Sequence, residues 1–184
     1  MKKYYFIFIA LCACYMAFAQ DYEVENDEVV VKKIIETPLS IEKAHDAVET
    51  YFVGAYGDSN HTNKMNNPDH IIYIGEYIDL HRYTMGAWTT DARHNIDVAF
   101  KEGRVRVKIS CSTISCRGFA PNAQQGLSYK IVSAAPFTDN GAINSGATKK
   151  TAIATFEALV QRMNATLIGI ETVLKDSSSI DEDW

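Results

Sequence analysis

Between Asn95 and Cys111 apolar and polar residues alternate, break at Glu102-Gly103, and alternate again. That pattern predicts an antiparallel hairpin. Ile96, Val98 and Phe100 line one face of the first arm, and Val105, Val107 and Ile109 the same face of the second. A two-residue loop at Glu102-Gly103 sets Lys101 opposite Arg104, Phe100 opposite Val105, Val98 opposite Val107 and Ile96 opposite Ile109. Every apolar residue then meets an apolar partner. A slip of one residue would turn all of them to the wrong face, so the register is strongly specified. On the outer face Asp97 falls opposite Lys108, a favourable cross-strand pair.

Two stretches follow the helical period instead. Ile41, Ala44, Val48, Tyr51 and Ala55 form one face, widened by Phe52, behind Ser40 as N-cap with Glu42 in the first turn. Gly54 and Gly57 mark the exit. Near the C-terminus Ile153, Phe156, Val160, Met163, Leu167, Ile170 and Leu174 recur at alternating spacings of three and four. They predict a helix from Thr148 to Lys175, about 40 Å long. Gly169 lies inside it at a cost of about 1 kcal/mol, which invites a break. Such a stripe serves as the lid of a sheet or as a coiled-coil seam for a partner.

The remaining segments read as strands and connections. Glu28–Glu36 is dense in β-branched residues and ends at Thr37-Pro38. Ile71–Leu80 is apolar on both faces, which two-sided burial or a bulge at Gly75 explains. Tyr83–Thr90, interrupted by Gly86 and carrying Trp88, and Leu127–Val132 are further strands. Asp21–Asp27 reads as a loose leader, Gly57–Asp69 as a polar loop, Arg117–Asn122 and Pro136–Gly146 as connections, and Asp176–Trp184 as an acidic tail. The order is β-α-β(4 to 5)-α. It predicts an α+β fold, a curved antiparallel sheet with both helices packed on one face. The other face is left for solvent or for a ligand.

Composition fits one soluble domain: 184 residues, 47% hydrophobic and 22% charged. Met1–Ala19 has the form of a signal peptide, with Lys2 and Lys3, an apolar run Tyr4–Met16 and the site Ala17-Phe18-Ala19 before Gln20. The domain then covers residues 20–175. Leu11-Cys12-Ala13-Cys14 loosely resembles a lipobox that would acylate Cys14, although the apolar residues after it are unlike a tether. An uncleaved anchor is the third reading. The net charge of −5, about −7 without the two lysines, argues against nucleic acid as a partner.

The DVAFKEG turn followed by GRVRVKIS, the signal peptide, the order of elements and the long terminal helix resemble an exported Gram-negative bacterial domain of unknown function. That family is described as having a TATA-binding-protein-like (TBP-like) fold. The resemblance covers Glu28–Lys175 and implies a fold and an exported location. It implies no catalytic residues, and a fold name does not license DNA binding.

Candidate chemistry is sparse. Cys111 and Cys116 remain after cleavage, and an even pair in an exported chain suggests a disulfide. Five extended steps span about 16 Å, so a bridge requires the chain to turn within Ser112–Ser115; otherwise both are buried thiols. Among His45, His61, His70, His81 and His94 no pair has a metal spacing. His94 falls on the apolar side with Ile96, where it would meet Cys111 as a dyad or rest as a satisfied core histidine. A zinc site from Cys111, Cys116, His94 and His81 is the corresponding metal reading. Arg104, Arg106 and Lys108 line one strand face, either as an anion site or as a solvated surface. Tyr73, Tyr77, Tyr83 and Trp88 would line a pocket or pack as core. Ser40-Ile41-Glu42-Lys43 matches Ser-x-x-Lys without its companion motifs, and the helix cap explains Ser40 better.

No cofactor and no metal are expected. The leading expectation is a non-catalytic exported module that binds or scaffolds an envelope protein or small ligand. The alternative is a carrier of a small hydrophobic ligand between sheet and long helix. A thiol hydrolase is the third class.

Overall fold

The computed structural model describes residues 22–26, 28–56, 63–83, 88–118, 127–130 and 149–180. The N-terminal segment read as a signal peptide, with Cys12 and Cys14, the Pro136–Gly146 connection and the last four residues lie outside them. The elements are β1 (Glu23–Glu25), β2 (Glu28–Glu36), α1 (Ile41–Tyr56), β3 (Asn63–Asn67), β4 (His70–Tyr83), β5 (Trp88–Lys101), β6 (Arg104–Gly118), β7 (Leu127–Lys130) and α2 (Lys149–Ile180). The strands form one seven-stranded sheet in the order β1-β2-β6-β5-β4-β3, with β7 also on β6. Every pairing is antiparallel.

The β5–β6 hairpin has the register its alternation requires. Lys101 pairs with Arg104, Phe100 with Val105, Val98 with Val107 and Ile96 with Ile109. Gly103 takes φ 75° in the turn, a conformation glycine adopts without a Cβ clash. Its carbonyl accepts from the Thr37 amide at 3.1 Å, which ties the end of β2 to the turn.

Both helices cover one face of the sheet. Ser40 caps α1, its Oγ accepting from the Lys43 amide at 3.3 Å. The buried stripe of α1 is Ala44, Val48 and Phe52; Ala55 is exposed, so the face turns toward Phe52 as the helix proceeds. On α2, Leu159, Val160, Met163, Leu167, Ile170 and Leu174 are buried against the sheet, each contributing about 1.5–3 kcal/mol. Ile153, 40% exposed, sits at the end of the stripe.

Several expectations need correction. The leader contains β1, whose Val24 pairs with Val29. The polar loop contains β3, folded onto β4 around Pro68-Asp69. Both are short and polar, as edge strands that present bare backbone to water commonly are. Trp88 begins β5 and Tyr83 ends β4, so Tyr83–Thr90 is not one strand. Helix α2 runs to Ile180, into the segment read as a tail. Gly169 does not break it. A Cβ there would stand 2.6 Å from the Tyr51 ring, so the glycine is the notch in which α1 rests on α2.

The bulge of β4 is not at Gly75. It lies between Tyr77 and His81, where Asp79 takes φ 54°. Gly75 sits opposite His94, and a Cβ there would meet His94 Nε2 at 2.6 Å. The buried His94 ring has nowhere to retreat, since it stacks on Tyr77 with centroids 3.7 Å apart. Gly75→Ala is therefore expected to destabilise by about 1–3 kcal/mol in urea denaturation. An unchanged midpoint would contradict this close approach.

Candidate functional site

The sequence-predicted residues separate onto the two faces of the sheet. Tyr73 and Tyr77 point into the helix-covered core, 4% and 7% exposed. Tyr73 stacks on Phe52 with centroids 4.6 Å apart, and Tyr77 Oη lies 2.8 Å from Thr166 Oγ1 on α2. Trp88 is half-buried at the far end of β5, where strand alternation sets it on the side of Thr90 and Ala92. Tyr73 and Tyr77 thus pack as core, and the side chain of Tyr83 lies outside the described residues. Among the described residues the side chains between sheet and long helix, where the alternative reading puts a hydrophobic cargo, pack against one another.

His94 occupies the centre of that core, on the apolar side as strand parity requires. Its Nε2 is 3.4 Å from Tyr56 Oη, which is 3.4 Å from Thr166 Oγ1. Its Nδ1 meets no partner at hydrogen-bond geometry among the described residues. Burial pushes its pKa down to about 4, with the Ala92 carbonyl opposing, and pushes Tyr56 up to about 12. Tyr77 is raised by the same cause.

Of the two readings of His94, the dyad with Cys111 does not form among the described residues. Cys111 Sγ donates to the backbone carbonyls of Arg93 and Thr113 at 3.2 and 3.5 Å. Burial raises its pKa to about 11, far from a thiolate nucleophile. The disulfide reading is corrected too. Cys111 is a free, buried thiol, and β6 runs on through Cys116, so the chain does not turn at Ser112–Ser115.

Among the described residues the opposite face of the sheet carries no helix. Arg104, Arg106 and Lys108 lie here, as their alternation requires, but their environments differ. Lys108 is held by Glu25 of β1 at 2.7 Å, and Lys32 is held by Glu25 at 2.7 Å and by Glu23 at 2.5 Å. Hydrogen bonds from Lys108 and Lys32 hold the Glu25 carboxyl down at about pH 2. Asp97 takes Arg106 diagonally at 3.3 Å rather than the directly opposed Lys108. Arg104 and Lys101 make no ion pair among the described residues, although Glu36 lies across from Arg104. With Ile34, Ala99 and Arg106 they line a hollow of about 200 Å³ at the hairpin end. Ile34 is 58% exposed at its rim. Sequence reasoning missed Lys101 and Ile34, because their places beside Arg104 and Arg106 come from pairing across three strands.

A second hollow, of about 530 Å³, lies nearer the centre of this face and includes Arg93, Asn95, Ser110 and Ser112. Beyond it the β4 bulge is pinned by ions. Asp91 is 4% exposed and takes the Asp79 amide at 2.8 Å and Arg117 Nε at 2.9 Å. Arg82 bonds Asp79 at 2.7 Å and holds its carboxyl below the usual range.

Metal ligands are grouped in one place among the described residues. His45, Asp46 and Glu49 on α1 have ligand atoms within 4.8 Å of one another. Asn66 of β3 stands 2.6 Å from His45 Nε2 and donates to Glu49 Oε1 at 3.0 Å, so the cluster latches α1 to the edge strand.

Comparison with solved structures finds this architecture elsewhere. A DUF4468 family protein from Bacteroides ovatus superposes with a TM-score of 0.58 at 15% identity, covering 85% of this chain and 91% of that one. A TBP-like protein from Parabacteroides distasonis superposes with a TM-score of 0.54 at 14% identity, covering 85% and 96%. The fold is TBP-like. Among the described residues the TBP-like sheet has helices on one face, and the other face carries the hollows described above. No protein-family model matches the sequence, and no curated protein matches it. Among the described residues no helix is long and apolar enough to cross a membrane.

The buried imidazole gives a pH signature. An unfolded histidine titrates near 6.5, and this one near 4. Between those values the unfolded chain takes up a proton that the folded chain refuses. Stability is therefore lost as pH falls from about 6.5 to about 4, by about 3 kcal/mol. In urea denaturation at pH 7 and pH 4, His94→Gln is expected to remove that part of the slope, whatever its effect on the midpoint at pH 7. A slope equal to the wild type's would show that His94 is not the titrating group.

Proposed function

We propose that the protein is a non-catalytic exported module of the periplasm or cell surface that binds an acidic protein partner through the open face of its sheet. The observation that carries this reading is the pair of exposed cations Arg104 and Lys101, without ion partners among the described residues, beside the exposed Ile34. Water-exposed charges at such a rim steer an oppositely charged partner, and the neighbouring apolar side chain gives it area to bury. The chain as a whole is acidic at −5, so an anionic segment is repelled elsewhere and guided to this end of the sheet. The packed core between sheet and α2 favours this reading over a carrier of hydrophobic cargo.

A labelled peptide of alternating glutamate and leucine tests the site by fluorescence anisotropy. It is expected to bind, to weaken as salt rises, and to lose at least about tenfold in affinity with Lys101→Glu plus Arg104→Glu. A lysine–leucine peptide of equal length is expected not to bind. Equal binding of both peptides, or of the acidic peptide to wild type and double variant, would overturn the assignment.

The exported location rests on Lys2-Lys3, the apolar run and Ala17-Phe18-Ala19. The intact mass of protein recovered from the envelope fraction of the expressing cells is expected to begin at Gln20. A mass beginning at an acylated Cys14 would tether the module to a membrane, and one beginning at Met1 would rule out cleavage.

A further inference from the structure

The hollow at the centre of the open face has a composition unlike the hairpin end. Glu76 of β4 and Arg93 of β5 are direct cross-strand partners, and both line it. Residues so opposed have Cα atoms about 4.5–5.5 Å apart, close enough for an ion pair to form readily. They form none, and Arg93 has no ion partner among the described residues. Two complementary charges thus stand side by side, each open to the same hollow.

The rest of the lining is hydrogen-bonding. Between Arg93 and Asn95 the register with β6 shifts, Arg93 pairing with Thr113 and Asn95 with Ser110. Cys111 and Ser112 therefore both stand across from His94, as in a bulge. Continued alternation from Ile109 and Cys111 would place Thr113 in the core. The bulge moves Ile114 there instead, 1% exposed, and leaves Ser112 and Thr113 both at the open face with their hydroxyls 3.3 Å apart. Ile74 and Ser110, 5% and 7% exposed, form the floor. The rearrangement buries Ile114 opposite Ala92. It also leaves a row of hydroxyl and amide groups beside an acid and a base that form no ion pair with each other, Glu76 lying within the field of Arg117 as well.

We propose that this hollow binds a compact zwitterion, an α-amino acid or a short peptide presenting both ends. The ligand carboxylate lies on Arg93, the ammonium on Glu76, and the Ser112 and Thr113 hydroxyls take the remaining donors and acceptors. A ligand of one sign satisfies only one of the two residues and meets the like charge of the other. A zwitterion satisfies both without disturbing the net charge of the face. The site is separate from the hairpin-end hollow and does not depend on it.

Amide chemical shifts of the purified, isotope-labelled protein test the proposal. Glycine and glycylglycine distinguish a free amino acid from a peptide, and acetate and methylammonium supply each charge alone. The expected result is saturable shifts at Arg93, Asn95, Ser112 and Thr113 with glycine or glycylglycine, and at least tenfold weaker responses to acetate and to methylammonium. Arg93→Gln and Glu76→Gln should each abolish saturation, while the charge-swapped Glu76→Arg plus Arg93→Glu variant restores it. Lys101→Glu plus Arg104→Glu should leave it unchanged. Acetate alone matching the zwitterions, failure of the swap in a variant with wild-type spectral dispersion, or no shift with any probe would each overturn the proposal.

Discussion

β5 and β6 pair from Lys101–Arg104 at the turn to Trp88–Gly118 at the far end, and the rest of the sheet is built outward from them. β4 pairs with the outer edge of β5 along nearly its whole length. The outer edge of β6 is divided: β2 takes it from Arg104 to Cys111, and β7 from Thr113 to Cys116. The alternation of Ile96, Val98, Phe100, Val105, Val107 and Ile109 fixes which face is dry. A slip of one residue would expose the apolar set and bury Asp97, Arg106 and Lys108 beneath the helices. Both helix packing and the charge of the open face follow from this one register.

Much of the fold was legible because its large elements obey a single period. The hairpin register, the bounds of β2, the Ser40 cap and the stripe of α2 could all be read from spacing. What escaped reading is local exception. β1 and β3 are short polar edges whose pairing partners lie outside the strand itself, so no hydrophobic period reports them. Each bulge replaces alternation with a jump, and only the opposing strand shows where it falls. Gly75 and Gly169 look like weak points in sequence, yet each makes room for a ring from another element. The disulfide reading failed because Ser112–Ser115 could equally be a turn or a strand, and the bulge keeps it a strand.

The candidate surface was legible only as a row. Arg104, Arg106 and Lys108 share a face, but the sequence does not show that Glu25 reaches Lys108 or that Asp97 is drawn to Arg106. Acids from β1 and β5 neutralise part of the row and leave the cationic character at one end. Arg93 and Glu76 gave no signal in sequence, since they belong to strands whose register is set by pairing.

The divided edge of β6 bears on how the chain folds. β2 emerges during synthesis long before its partner, with some seventy residues between Ile35 and Val105. Until β6 has been made, Val29, Val31 and Ile35 lack the strand they pair with in the sheet, whereas α1 can already rest on β4 through Phe52 and Tyr73. The pairing of β2 with β6 therefore waits on closing one long loop. Once the hairpin exists, both halves of its outer edge can be claimed from opposite directions along the chain.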